Sequence, residues 1–385
     1  MHDCSGPLWP CALTGAAAAL AGIGGIGVVI HGSAGCYYYP SSVLHLPLYC
    51  SSVTDRDIIL GTEDALVRTI DAIRDKYDLV AVLCTCIPAI TGEDIRGMLE
   101  QAYSDSTRIC VIDAAGFSGE YEDGFRSAIR AIDPPVSGGK TGVNIDGLSP
   151  FDPFRQGNFQ EAQRLLGLAG TVAGAALPSG KYRYGQPLSP YTLHTNPDLT
   201  LDLGESLGCL VGLSRIEDAI RRIASFTGGA DDLLEHDIPL AREKITAACD
   251  RFIKKFDPPH VALFGQCRTM QEIALMLEEY LDADILVIGS RNPPVPGKYR
   301  VERARDYDTV VEILSRENPD LVLGSSFEKY ACPGAAFVGV TPPLRGTVRL
   351  HSRPLAGIEG ALALFESVLN ACMDHAKRRR DDPSP

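Results

Sequence analysis

From Cys4 to Thr54 the chain contains no Lys, Arg, Asp or Glu. A stretch that long without formal charge belongs inside a protein, against a partner or in lipid. Its candidate span, "CALTGAAAALAGIGGIGVVIHGSAGC" (11–36), is long enough to cross a bilayer. It is rich in Ala and Gly rather than Leu or Phe, and no Lys or Arg flanks it to set an orientation, so a buried segment is expected and no membrane span. A positive n-region is missing from Met1-His2-Asp3-Cys4, so no secretory leader is expected; a reduced, cytoplasmic setting is. A basic excess is missing too: 36 Lys and Arg face 49 Asp and Glu, a net charge of −13, which argues against nucleic-acid binding. There is no G-x-x-x-x-G-K-[ST], which excludes Walker-type ATP hydrolysis by this chain. "GIGGIG" (22–27) precedes a strand where a dinucleotide fingerprint follows one, so NAD binding is rejected. No C-x-x-C pair occurs among the twelve cysteines.

What is present reads as α/β architecture. "CALTGAAAALAGI" predicts a helix stopped by the glycines after it, and "GVVIHG" a buried strand. Leu66, Ile70 and Ile73 recur at helical spacing, then "DLVAVLC" and "RICVIDA" read as strands, with a helix over "IPAITGEDIRGMLEQAY" between them. Alternating strands and helices predict a parallel sheet. "DPPVSGGKTG" (133–142) reads as a linker, and "AREKITAACDRFIKKFDPP" as a connecting helix stopped by Pro258 and Pro259. "HVALFG", "CRTMQEIALMLEEYL", "ADILVIGS", "YDTVVEILSRENP" and "DLVLGSS" predict a Rossmann-like unit. The expected division is a cluster-binding α/β domain over 1–135, a middle segment with the connecting helix over 136–256, a Rossmann-like domain with the C-terminal helix over 257–376, and a frayed tail over 377–385.

Cys11, Cys36 and Cys86 each fall at a strand–helix junction, the side on which open α/β sheets bind ligands. Thiolate is the metal-binding form, and helix N-termini favour it. Cysteine is also a small buried hydrophobe, and Cys84, Cys110, Cys209, Cys249, Cys267 and Cys372 fit that role. Cys84 and Cys86 alternate on a strand, so at most one of them reaches a shared site. The spacing leaves iron–sulfur ligation and plain burial open. Trp9 and Tyr37-Tyr38-Tyr39 are aromatic neighbours of the proposed site, and acids Glu93 and Asp94 suit a helix start.

The frame Cys11/Gly15/Ala16, His31-Gly32-Ser33-Ala34-Gly35-Cys36 and Thr85-Cys86…Gly92-Glu93-Asp94 resembles the nitrogenase component 1 family: nitrogenase subunits, cofactor-assembly scaffolds and dark-operative protochlorophyllide reductases. "VNIDGL…GN..E..RLL" (143–166), "PDLVLGSSFEK" (319–329) and "RLHSRPLAGIEGALALFESVLN" (349–370) extend the likeness, which is greatest to a short β-type subunit. The resemblance implies two to three Rossmann-like parallel-sheet domains around a central cleft. It implies that Cys11, Cys36 and Cys86 hold an interfacial iron–sulfur cluster, a 4Fe–4S or a P-cluster-like double cubane. Cys4, Cys50, Cys84, His31 and Glu120 are candidates for a fourth ligand or for supporting it, and Gly15, Gly32 and Gly35 for admitting it. It further implies an ATP-dependent, nitrogenase-reductase-type iron protein as electron donor, a paralogous α-type subunit or a second copy as partner, and a small-molecule substrate, a tetrapyrrole among the candidates, in the cleft. Assembly scaffold is the alternative. Around "SPYTLHTNPDL" stand His194 and Thr195 but no cysteine, and around "AAFVGVTPP" no histidine. An iron–molybdenum cofactor held in the nitrogenase manner is therefore not expected.

Overall fold

The computed structural model describes residues 6–103, 108–138, 142–179, 181–348 and 350–381. The first part of the uncharged segment, 9–32, is interior, whereas much of 33–54 reaches the surface. Ala16 to Leu20, the centre of a helix over Ala12–Ala21, are fully buried. Alanine is the best helix former, and a helix apolar on every side is a core helix. No helix among the described residues is long and apolar enough to cross a membrane. The first helix lies against the helix Tyr121–Ile132. A Cβ on Gly15 would sit 1.9 Å from the Tyr121 carbonyl oxygen, and one on Gly124 1.9 Å from that of Ala12. Only glycine permits so close a crossing.

Three sheets, parallel throughout, follow in chain order. The first comprises β1 (Ile26–His31), β2 (Tyr49–Cys50), β3 (Leu79–Cys84) and β4 (Ile109–Asp113), ordered β2-β1-β3-β4. β1 and β3 are buried at every position, as strands covered on both faces must be. The second comprises β5 (Val143–Asp146), β6 (Ala173–Ala176), β7 (Tyr191–His194) and β8 (Glu205–Cys209), ordered β6-β5-β7-β8. The third comprises β9 (His260–Gly265), β10 (Asp284–Ser290), β11 (Val301–Arg303), β12 (Leu321–Gly324) and β13 (Ala336–Gly339), ordered β11-β10-β9-β12-β13. The fold is α/β with three parallel-sheet domains, as the patterning implies.

Two departures have plain causes. The helix expected over 87–103 is two, Cys86–Thr91 and Ile95–Ala102, because Gly92 turns left-handed (φ 72°) and Asp94 caps the second by accepting from the Gly97 amide at 3.0 Å. The C-terminal helix runs from Gly357 to Asp381, through most of the expected tail; 382–385 lie outside the described residues.

Buried polar side chains join the units. Asn158 accepts from the Leu355 and Ala356 amides at 2.8 and 3.0 Å, and Glu161 from Glu359 at 3.2 Å. The G-N-x-x-E pattern thus anchors the start of the C-terminal helix. Asp198, from the loop after β7, accepts from the Arg268 and Thr269 amides in the first turn of the helix Cys267–Leu281 (3.1 and 2.9 Å) and from Asn292 (2.9 Å). A carboxylate on a helix N-terminus satisfies donors that otherwise lack partners.

Candidate functional site

The first sheet's strand order reverses at β1 and β3, and a crevice forms at the carboxyl ends of strands at such a point. Beyond β1 the chain turns through Gly32 and Ser33 into the helix Ala34–Leu44, with Cys36 in its first turn. Beyond β3 comes Thr85, then Cys86 as the first residue of its helix. Beyond β4 the chain passes through Gly116. Cys11 is the N-cap residue of the first helix, held in an isolated antiparallel bridge to Glu120.

These segments wall a cavity of about 570 Å³ whose lining includes Cys11, Cys36 and Cys86 together with Trp9, Gly35, Tyr39, Thr85, Gly116 and Arg305. A Cβ on Gly116 would lie 3.4 Å from Cys86 Sγ and 3.6 Å from Cys11 Sγ, so those two sulfurs share one small space. The Gly116 amide donates to Cys86 Sγ at 3.1 Å.

Three observations fit this cavity to an inorganic sulfur group. Its donor set is three thiols. Thr85, a residue of its wall, has a hydroxyl buried beside Gly32 without a hydrogen-bond partner. Its floor at Gly116 lacks a side chain that would fill the space between two sulfurs. Among the described residues, no three His, Cys, Asp or Glu side chains close tightly enough to hold a single metal ion. Three thiols spread around a larger cavity suit a polynuclear cluster, which thiolates typically hold. Gly116→Ala is expected to lower the iron bound per chain while leaving the iron-free protein's melting temperature near wild type, because the methyl meets the two sulfurs at van der Waals distance. Iron analysis beside a thermal melt checks this.

The remaining expected residues separate. His31 does not line the cavity: its ring is fully buried, with Nδ1 3.0 Å from Ser51 Oγ and Nε2 3.2 Å from Thr62 Oγ1. Burial lowers its pKa although Glu93, 3.9 Å away, works in the other direction. Glu93 is not merely a helix-start charge, since its carboxylate also accepts from Thr62 Oγ1. Cys84, last residue of β3, belongs to the core on the sheet's other face, and burial pushes its thiol to about 12. Of the Cys84/Cys86 pair only Cys86 is on the cavity wall. Cys50 accepts from the Ser52 amide at 3.2 Å and is not on the wall either. Cys4 lies outside the described residues. Glu120 Oε1 accepts from Arg303 at 2.8 Å and pairs with Arg305 at 3.4 Å, while Oε2 is buried without a hydrogen-bond partner. Gly35 lines the cavity, but Gly15 and Gly32 do not admit anything to it. Gly15 serves the helix crossing, and a Cβ on Gly32 would strike Thr85 Oγ1.

Sequence reasoning missed Gly116, Thr85 as an unpaired hydroxyl, and Arg305. Thr85 stood beside a motif cysteine. Gly116 and Arg305 carried no signal, being brought in by β4 and by the third sheet.

Trp9 also borders a second cavity where the three units meet, lined by Tyr121, Ser149, Asn196, Gln266 and Thr341 among others. Its volume is about 40 Å³, room for water alone. Beside it Glu122 is buried, accepting from Trp9 Nε1 at 3.1 Å and Gln266 Nε2 at 2.6 Å. Burial raises its pKa from 4.5 to about 7. Between those values the folded chain holds a proton that the unfolded chain has lost, so stability falls as pH rises through that window. The expected slope is at most about 1.4 kcal/mol per pH unit. Glu122→Gln is expected to flatten it, as urea titrations at pH 5, 6 and 7 would show.

Three parallel-sheet domains with a thiol-lined cavity at the first sheet's switch point define a class of α/β proteins built to hold a ligand in a largely apolar pocket. A family model described as nitrogenase component 1 type oxidoreductase matches residues 11–192 and 205–373. The chain belongs to that family. It is 23% identical to the nitrogenase molybdenum-iron protein beta chain of Sinorhizobium fredii (97% of this chain, 84% of that one) and 22% identical to that of Methanococcus maripaludis (97% and 96%). It is 24% identical to the iron-molybdenum cofactor biosynthesis protein NifE of Klebsiella pneumoniae (62% and 60%). A solved nitrogenase Cp1 structure shares the fold with a TM-score of 0.80, 18% identity, and coverage of 98% of this chain and 95% of that one.

Proposed function

We propose that this chain is the electron-relay subunit of a nitrogenase-like oxidoreductase, with Cys11, Cys36 and Cys86 as ligands of an iron–sulfur cluster at a subunit seam. The observation that carries the reading is the meeting of these three thiols on one cavity wall. The cluster supplies one-electron, low-potential redox chemistry, which no side chain here provides. The chain's own residues do the rest. The buried part of the uncharged segment, 9–32, keeps charge away from the site, the Gly116 amide offers a hydrogen bond to sulfur, and the three-sheet frame fixes the thiols. The fourth ligand comes from the partner, since Glu120, like Cys50 and Cys84, is not on the cavity wall.

Family members carry iron–sulfur clusters, and homologues pair with an α-type subunit and an Fe-protein reductase. An α-type sister or second copy would sit over the cavity mouth, where Phe117 and, on the Cys36 and Cys86 helices, Tyr38 and Ile90 are half or more exposed. Exposed apolar groups of this size favour an interface. Domain limits near 135 and 256 follow the sheets.

Assembly scaffold is the second reading, favoured by the NifE likeness. The test is anaerobic co-purification with the partner chain, followed by addition of a nitrogenase-type reductase and ATP. ATP-dependent reduction of a bound cluster, seen in absorbance, supports the relay. Loss of the cluster to an apo-acceptor without turnover supports the scaffold. A colourless, iron-free protein after anaerobic reconstitution sinks both.

A further inference from the structure

We propose that Asp146, His194 and Ser206 form a hydrolytic triad that cleaves small carboxylic esters or thioesters on the second sheet. Asp146 and His194 are the last residues of β5 and β7 and are paired in register, at the carboxyl edge where α/β sheets carry ligands. Asp146 is fully buried, with Oδ1 2.6 Å from His194 Nδ1 and Oδ2 accepting from the Leu201 amide at 2.8 Å. That grip fixes the ring and directs the Nδ1 proton to the carboxylate, leaving Nε2 as the acceptor. Nε2 lies 2.7 Å from Ser206 Oγ. Ser206 is exposed, on the edge strand β8, and its hydroxyl, besides meeting the histidine, accepts from the Gly208 amide at 3.3 Å.

A buried acid, a histidine it orients and an exposed hydroxyl at hydrogen-bond distance are the parts a serine nucleophile needs. The pairing register shifts between Thr192 and Leu193, and that irregularity lets Ser206, opposite Thr192, reach the ring of His194. No deep cavity adjoins these residues among those described above, which restricts the substrate to small or solvent-extended acyl groups.

In the reaction Ser206 Oγ bonds to the ester carbonyl carbon while its proton passes to His194 Nε2. The ester C–O bond, or the C–S bond of a thioester, breaks, and the alcohol or thiol leaves with that proton. Water then adds to the acyl-serine, again giving its proton to Nε2. The acyl–Oγ bond breaks, the carboxylic acid departs and Ser206 recovers its proton.

A fluorophosphonate probe tests this on the full chain, with its co-purifying partner if there is one. Expected is a single phosphonyl adduct on the peptide containing Ser206, and p-nitrophenyl acetate hydrolysis that drops by about a hundredfold or more in both Ser206→Ala and His194→Gln. Ser206→Ala keeps the Asp146–His194 pair, so its circular dichroism and iron content should match wild type; the cysteine-lined cavity and this site can then fail separately. An absence of adduct on Ser206 in natively folded protein overturns the proposal. So does labelling at an unchanged rate in His194→Gln, since the serine would then be reacting without its base.

Discussion

Joint replacement of Cys11, Cys36 and Cys86 by alanine is expected to abolish iron binding, leaving anaerobically purified protein colourless. These thiols are half-buried on a cavity wall rather than packed in the core, so the fold should persist with a melting temperature within a few degrees of wild type. Cys249→Ala is the matching control. That thiol is buried in the core and pushed to about 12 by burial, the state of an inert hydrophobe. Its loss should cost stability by about 1 kcal/mol and no iron. Iron per chain, measured beside circular dichroism, decides between them. Undiminished iron in the triple variant would falsify the ligand assignment, and unfolding of that variant would mean the thiols hold the fold instead.

The second large effect is expected from Gly124→Ala. The added methyl would lie 1.9 Å from the carbonyl oxygen of Ala12, a backbone atom that no side-chain rotation can move aside. The first helix and the Tyr121–Ile132 helix must separate. Overpacking of this kind costs about 3 kcal/mol or more. Since Cys11 stands at the start of one helix and the Gly116–Glu120 segment leads into the other, iron occupancy should fall with stability. Gly167→Ala is the contrast. Gly167 is helical and has open space around the added methyl, so a gain of about 0.5–1 kcal/mol is expected. Equal melting temperatures for the two variants would refute the crossing as the tight point of the fold.

Much of the architecture was legible because apolar runs and punctuation report local structure. The strand His260–Gly265 and the helix Cys267–Leu281 match the sequence pattern to the residue. The two short helices around Gly92 were less legible, since a six-residue helix carries too few periodic positions to stand out. At the site, Cys11, Cys36 and Cys86 were readable from motif resemblance, whereas composition alone left them indistinguishable from buried cysteines. Gly15 and Gly32 were visible as glycines, but their reason was not, because it lies in Tyr121 and Thr85, far away in the chain.

The sequence by itself determined the alternation of strands and helices, the charge-free interior of the opening segment and the identity of three thiols. These follow from side-chain chemistry and short-range periodicity. Only the tertiary structure decided that Cys86 rather than Cys84 borders the cavity, and that Gly116 and Arg305 join it from distant segments. It alone brought Asp146, His194 and Ser206 within hydrogen-bond distance. Such facts depend on strand order, register and the packing of sheets against one another, which no local stretch of the chain encodes.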